Sequence, residues 1–176
     1  MNILNAINYA NQKLKEKGIK TYQLDTQILM SEAIKKKKEN ILLNLKEEIK
    51  IEDYNFFIDL INQRLNKKPI AYLIGKKSFW KYDFKVTNDV LIPRPDTELI
   101  IEEVIKLTKN KSKLNVLDIG VGSGCIILTI LKEKKNFRGT GIDISKKTLK
   151  ICKINSDNLG VSNRLKLFKS DVDNFQ

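Results

Sequence analysis

Apolar residues recur at helical spacing along the first 65 residues, and four separate stripes can be distinguished. The stripes are Ile3, Ile7, Ala10 and Leu14; Leu24, Ile28 and Met30; Ile41, Leu42 and Leu45; and Tyr54, Ile58, Ile61 and Leu65. Gly18 is predicted to end the first helix, and Pro69 follows the last one. Because no single helix can bury its stripe alone, the pattern predicts a small helical bundle.

The pattern changes in AYLIGKKSFWKYDFKVTNDVLI, residues 71–92. This segment is rich in aromatic and β-branched residues, which favours a β-hairpin or a pair of short strands joining two domains. We interpret Trp80 as an anchor between domains rather than as the wall of a ligand site, since large aromatic side chains more often serve packing.

From Pro93 onwards, helix-like and strand-like segments alternate. The order is a helix (PDTELIIEEVIKLTK), a strand (LNVLDIG), a helix (SGCIILTILKEKK), a strand (FRGTGIDI), a helix (SKKTLKICKINSDNLG) and a strand (RLKLFKSD). Ser145 is predicted to cap the last helix and Gly160 to end it. The alternation predicts parallel strands with right-handed crossovers. The predicted fold class is therefore α/β: a helical bundle (1–70), a β-hairpin linker (71–92) and the first half of a Rossmann-like sheet (93–176).

Composition excludes several classes of site. The chain has 41% hydrophobic and 31% charged residues, typical of a soluble globular protein, and its apolar runs are far too short to span a bilayer. We expect no signal peptide, no membrane association and a cytoplasmic location. There is no histidine, which excludes Ser-His-Asp and Cys-His catalysis, and the two cysteines lack metal-site spacing, so no metal is expected.

Net charge alone does not indicate a nucleic-acid partner. The net charge is +12, but the excess is mostly lysine and is spread along the chain. The run at Lys35–Lys38 is interpreted as a solvated turn or helix start. We therefore expect no direct contact with nucleic acid.

A glycine ladder follows the first strand of the alternating part: Asp118-x-Gly120-x-Gly122-x-Gly124. A dinucleotide fingerprint reads G-x-G-x-x-G and holds a pyrophosphate at the helix N-terminus. Here the third glycine comes one residue early, and Asp118 would repel a pyrophosphate while attracting an ammonium group. The ladder therefore favours S-adenosyl-L-methionine, which carries an ammonium and a sulfonium and no phosphate, over NAD.

Two further acids follow the next two strands. Asp143 ends GTGIDIS and can accept hydrogen bonds from ribose hydroxyls, while Asp171 in SDV can accept one from the adenine amino group. The backbone N–H of Val172 can face a ring nitrogen. Each acid alone has an ordinary interpretation, as a helix cap or a surface charge. At the carboxyl ends of successive parallel strands, they together predict an adenosyl-cofactor site.

The segment KPIAYLIGKKSFWKYDFKVTNDVLIPRPDTELI, followed by VLDIGVGSG and GIDIS, resembles the bacterial peptide chain release factor glutamine methyltransferases. The resemblance is weak over residues 1–65 and strong from Pro69 to Asp143. It implies a helical substrate-recognition domain, a hairpin and a class I S-adenosyl-L-methionine-dependent domain, in an enzyme that is a monomer when complete. Such enzymes methylate the side-chain amide nitrogen (N5) of the glutamine in the Gly-Gly-Gln motif of class I peptide chain release factors.

The resemblance also implies roles for individual residues. Gly120, Val121, Gly122, Ser123 and Gly124 would line the methionyl part of the cofactor, beside Asp118. Asp143 would hold the ribose, and Asp171 and Val172 would lie at the adenine. Arg94 and Glu98 would lie near the mouth of the active site.

The family's Asn-Pro-Pro-Tyr motif, which orients the amide nitrogen for transfer, does not occur in the 176 residues. We therefore expect an N-terminal portion of such an enzyme, with no catalytic residue of its own and no methyl transfer by itself. In the usual strand order of the fold, LNVLDI would then be an uncovered apolar edge. Two other functions stay open: an amino-methyltransferase acting on adenine in nucleic acid, and a non-catalytic remnant that only binds a protein partner. A dinucleotide dehydrogenase is the least favoured alternative.

Overall fold

The computed structural model describes residues 1–175, and the chain forms two compact units, Met1–Ile74 and a second unit that begins at Gly75. The first unit is helical. Its helices are α1 (Ile3–Glu16), α2 (Tyr22–Ile34), α3 (Lys38–Leu43), α4 (Ile51–Leu65) and α5 (Ile70–Ile74). The side chains of α1, α2 and α4 meet in one hydrophobic core, in which Leu14, Leu29 and Phe57 are fully buried. The predicted bundle is thus confirmed.

Helix α1 follows its sequence signals closely. The side chain of Asn2 caps it by accepting a hydrogen bond from the backbone N–H of Asn5 at 2.9 Å. The predicted stripe is buried along its whole length, from Ile3 to Leu14. Gly18 follows the helix with a φ of 75°, a conformation that glycine adopts without the strain of a side chain.

The predicted stripe of α2 is wrong at Leu24, which is 49% exposed. The buried face of this helix instead includes Asp25, whose carboxylate accepts a 2.7 Å hydrogen bond from Nε of Arg64 on α4. Consecutive residues on a helix point about 100° apart, so burial of Asp25 turns Leu24 towards solvent. Leu42 on α3 is likewise 45% exposed, although Ile41 beside it is buried.

The hairpin is shorter than predicted. Residues 71–74 belong to helix α5 rather than to a strand, because Pro69 starts a helical turn by accepting hydrogen bonds from the N–H groups of Tyr72 and Leu73. Gly75, with a φ of 68°, ends that helix. The hairpin itself consists of β1 (Lys76–Phe79) and β2 (Tyr82–Lys85), which pair antiparallel with Phe79 opposite Tyr82.

The rest of the second unit alternates between helices and strands as predicted. The elements are α6 (Glu98–Leu107), β3 (Asn115–Ile119), α7 (Cys125–Glu133), β4 (Arg138–Asp143), α8 (Lys146–Asn158) and β5 (Leu165–Lys169). Ser145 caps α8 by accepting from the N–H of Thr148 at 3.2 Å, and Gly160 follows it with a φ of 67°. The three strands are parallel in the order β3-β4-β5, which confirms the predicted α/β class.

Helices cover one face of this sheet, and on the other face the apolar side chains of β3 are exposed within the described residues. A side chain on Gly139 of β4 would come within 2.8 Å of Ile127 on α7, so the glycine allows the helix to approach the sheet closely. On the opposite face, Leu117 and Ile119 of β3 are 48% and 54% exposed. In the part of the chain that the structure describes, β3 pairs only with β4 and is therefore an edge strand with exposed apolar side chains, as expected.

Candidate functional site

The glycine ladder forms the turn between β3 and α7. Gly120, Gly122 and Gly124 have φ values of 75°, 56° and 82°, which side chains other than glycine's strongly disfavour. The N–H groups of Gly120 and Val121 both donate to the carbonyl oxygen of Ile142 on β4, at 2.9 Å. The turn is thus fastened to the neighbouring strand by backbone hydrogen bonds.

Asp143 lies beside this turn, as the sequence predicted. One of its carboxylate oxygens accepts from the N–H of Gly122 at 3.2 Å, and the other accepts from the N–H of Ser145 at 2.9 Å. The carboxylate therefore joins the turn after β3 to the turn after β4. Because an ionised carboxylate offers about four lone-pair positions, two such bonds leave room for further donors.

Asp118 is a half-buried carboxyl group on the helix-covered face of β3. Burial raises the pKa of Asp118 to about 6; the backbone N–H of Ile127 opposes that rise, and the negative charge of Asp143 adds to it. A cation bound nearby would favour the ionised form of Asp118 and so offset both effects that raise its pKa. The site is therefore electrostatically suited to a positively charged ligand.

The end of β5 reaches the same edge of the sheet, since the N–H of Ser170 donates to the carbonyl oxygen of Asp143 at 3.2 Å. The exposed carboxylate of Asp171 accepts from the backbone and side-chain amides of Asn174, at 2.8 and 2.7 Å. Asp171 also lines a cavity of about 370 Å³ together with Ile144, Lys169, Ser170 and Asn174. Val172 is 54% exposed. No hydrogen bond among the described residues joins Asp171 to the glycine turn.

Glu98 stabilises the turn of the hairpin. Its carboxylate accepts a 2.7 Å hydrogen bond from the backbone N–H of Trp80, which has a φ of 57° in the turn between β1 and β2. The indole N–H of Trp80 in turn donates to Glu133 at 3.1 Å, at the end of α7. Arg94 is exposed, and its carbonyl oxygen accepts from the N–H of Thr97.

Asn155 on α8 contacts the glycine turn, a contact that the sequence did not reveal. It is 1% exposed, and its side-chain amide donates to the carbonyl oxygen of Ser123 in the glycine turn at 2.8 Å. The only available signal was a polar residue on the buried face of a helix, four residues after Ile151. That signal does not say which partner the amide would find.

Residues 1–175 contain neither a metal-binding cluster nor a membrane helix. In this range, no group of three or more histidine, cysteine, aspartate or glutamate side chains is arranged to hold a metal ion. Over the same residues, every helix is too short or too polar to cross a lipid bilayer.

Known proteins resemble both units of the chain. Residues 5–75 match the PrmC N-terminal domain, and residues 110–176 match a family described as methyltransferase domain. The release factor glutamine methyltransferase of Caulobacter vibrioides is 32% identical over 97% of this chain and 59% of its own length. The enzyme of the same name from Buchnera aphidicola is 40% identical over 93% of this chain and 58% of its own. The chain thus spans less than two thirds of the length of these two relatives.

One solved structure is a crystal structure of an RNA methyltransferase from Salinibacter ruber in complex with S-adenosyl-L-homocysteine. It is 21% identical, with a TM-score of 0.42, and the match covers 48% of this chain and 53% of that one.

Proposed function

Since this chain belongs to the release factor glutamine methyltransferase family, we propose that it provides the substrate-recognition part and the first half of the cofactor site of such an enzyme. The helical residues 1–74 form the substrate-recognition domain, the hairpin of residues 76–85 the linker, and the chain from Pro93 onwards the partial cofactor domain. The cofactor is S-adenosyl-L-methionine. The substrate is the glutamine side-chain amide in the Gly-Gly-Gln motif of class I peptide chain release factors.

The observation that carries the proposal is the glycine turn with two carboxylates beside it. Asp143 is hydrogen-bonded to the turn at Gly122, and its charge contributes to the raised pKa of Asp118. A ligand with an ammonium and a sulfonium relieves this repulsion, whereas the pyrophosphate of NAD would add two negative charges to it. The electrostatics therefore favour an adenosyl sulfonium over a dinucleotide.

We assign the remaining roles to residues near the carboxyl ends of the three strands and at the start of α6. Gly120–Gly124 let the methionyl part approach the backbone, and Asp143 holds the ribose with the lone pairs that its two N–H donors leave unused. Asp171 and the backbone N–H of Val172 face the adenine. Arg94, which is exposed, lies near the mouth of the active site, while Glu98 acts mainly through the hairpin turn that it supports.

Methyl transfer to an amide is a problem of positioning. The lone pair of an amide nitrogen is delocalised, so acceptors must hold the amide hydrogens and aim the nitrogen at the sulfonium methyl group. In the family, the Asn-Pro-Pro-Tyr motif supplies those acceptors, and the 176 residues do not contain it. Residues 1–176 are therefore expected to lack methyl transfer by themselves, and cofactor binding by the half-site that they contain is tested separately.

Cofactor binding is tested by calorimetric titration with S-adenosyl-L-homocysteine and with NAD. We expect the first to bind and the second not to. Asp171→Ala should weaken binding about tenfold, the scale of one lost hydrogen bond to a charged group. Asp173→Ala removes the neighbouring exposed carboxylate and should leave affinity unchanged. Tighter binding of NAD would contradict the proposal.

Substrate choice is tested in a chimera that continues residues 1–170 with the following segment of the Buchnera aphidicola relative. With labelled S-adenosyl-L-methionine, we expect label on a class I release factor and none on the same factor with Gln→Ala in Gly-Gly-Gln. Label on DNA or RNA instead would favour the nucleic-acid alternative. Label on the release factor with residues 1–176 alone would refute the expectation that these residues do not transfer the methyl group by themselves.

A further inference from the structure

Asn155 connects the hairpin to the glycine turn. Its side-chain oxygen accepts from the N–H of Lys85 at 2.7 Å, and its amide nitrogen donates to the carbonyl oxygens of Lys85 at 3.0 Å and Ser123 at 2.8 Å. It thereby pairs both backbone groups of the last residue of β2, as a neighbouring strand would. The same amide reaches into the turn that follows β3.

The face of α8 that carries Asn155 makes two more contacts, one with the chain after the hairpin and one with the glycine turn. The hydroxyl of Thr148, seven residues earlier, donates to the carbonyl oxygen of Asp89 at 2.8 Å. The sulfur of Cys152 occupies the space next to Gly124, where an added side chain would come within 2.7 Å of it. Residues three, four and seven apart share one face of a helix, so this face holds both the chain leaving the hairpin and the glycine turn.

Hydrogen bonds from outside the turn matter because its glycine-rich backbone can adopt many conformations. Three glycines in five positions leave its backbone many alternatives, which must be excluded by bonds from outside. Ile142 and Asp143 supply bonds to its N–H groups from the neighbouring strand. Asn155 supplies a bond to one of its carbonyl oxygens, and it does so from a side chain that is itself held by β2.

We infer that Asn155 is a positioning residue for the methionyl side of the cofactor site. It fixes the position of the Ser123 carbonyl group relative to Lys85 at the end of the hairpin. The inference rests on the proposed role of the glycine turn in binding an adenosyl cofactor. Asn155 does not touch the cofactor; it acts through Ser123. Loss of its amide frees the turn from the hairpin and leaves the adenosine side, at Asp143 and Asp171, in place.

The first test needs no ligand. Amide hydrogen exchange is compared between the wild-type chain, Asn155→Leu and Thr148→Val, a control that removes a hydrogen bond from the same helix face without touching the turn. We expect Asn155→Leu to speed exchange at Lys85, Gly122 and Gly124 at least tenfold, relative to the amide of Lys134 at the far end of α7. Thr148→Val should leave Gly122 and Gly124 within threefold of wild type.

Unchanged exchange at Gly122 and Gly124 in Asn155→Leu would overturn the inference. Should Asn155→Leu fail to fold, Asn155→Ser makes the same comparison, because the smaller polar side chain admits water to the unpaired carbonyl groups. An equal acceleration at Lys134 would identify general opening of the unit, and it would likewise count against a specific role at the turn.

The second test uses two ligands. S-adenosyl-L-homocysteine carries the amino acid part, whereas 5′-methylthioadenosine keeps the adenosine and the sulfur and lacks the amino and carboxyl groups. We expect Asn155→Leu to weaken binding of the first at least tenfold and of the second less than threefold. Equal weakening of both would mean a purely structural role and would refute the inference. If the wild type binds neither ligand, the proposed function fails, and hydrogen exchange alone decides whether Asn155 holds the turn.

Discussion

Replacing Asp118 by asparagine should make the protein more stable and the cofactor site weaker. Burial raises the pKa of this carboxyl group to about 6, and the charge of Asp143 contributes to the rise. The usual value for aspartate is about 3.9, so the shift is about two units, which corresponds to about 3 kcal/mol at 1.36 kcal/mol per unit. This is the upper limit of what ionised Asp118 costs the folded state.

The sign of the pH dependence follows from linkage. Between about pH 4 and pH 6, the folded protein keeps the Asp118 proton while the unfolded chain has released it. The free energy of unfolding therefore falls as pH rises through this window, and the full cost remains above it. The neutral amide of the Asp118→Asn variant would carry no such cost. Its oxygen can still accept from the N–H of Ile127, which opposes the pKa rise in the wild type.

Urea unfolding of wild type and Asp118→Asn at several pH values between 4 and 8 measures this difference. We expect similar stabilities at pH 4 and an advantage of about 1–3 kcal/mol for the variant at pH 8. Asp96→Asn makes the same chemical change at an exposed position and controls for the loss of one negative charge. A more stable wild type above pH 6, or a difference that does not change with pH, would refute the reasoning.

Three further predictions concern the same unit. Binding of S-adenosyl-L-homocysteine should strengthen by about tenfold between pH 5 and pH 7 in calorimetric titrations, because Asp118 must lose its proton to pair with the ammonium group, and Asp118→Asn should abolish this dependence. Gly124→Ala should lower the free energy of unfolding in urea by about 3 kcal/mol, and Gly120→Ala by about 1 kcal/mol. Both glycines have positive φ, but only at Gly124 does the new side chain meet a sulfur atom at 2.7 Å. Glu133→Ala should shift the fluorescence of Trp80, the single tryptophan, to longer wavelength, because the acceptor of its indole N–H is lost and water takes its place; an unchanged spectrum would contradict this.

Much of the fold could be predicted from sequence because its signals are local. The alternation of apolar runs with caps and glycines predicted the order of the elements after Pro93, and Ser145 and Gly160 delimit α8 as expected. Local signals failed where a residue distant in sequence determines which side chain is buried. Leu24 is exposed because Asp25 is buried against Arg64, a residue 39 positions away.

For the candidate site, the sequence predicted where residues lie in the fold, and their roles in binding a cofactor stay predictions. The positions of the glycines and of Asp143 follow from the ends of parallel strands, which sequence patterns predict well. That the Asp143 carboxylate already binds two backbone N–H groups could not be predicted, since turn geometry fixes those donors. The role of Asn155 could not be predicted for a related reason, because its partner Lys85 lies 70 positions earlier in the chain.

These hydrogen bonds to residues distant in sequence limit what the glycine ladder alone can predict. The turn is fastened by Ile142 and Asp143 from β4 and by Asn155 from α8, and Asn155 is itself held by Lys85 of the hairpin. Without the hairpin, the Asn155 side chain would lose both backbone groups of Lys85 and keep only the carbonyl oxygen of Ser123 as a partner. The conformation of the glycine turn therefore depends on residues 76–85 as well as on the ladder itself, so the two segments together are a stronger signal than the ladder alone.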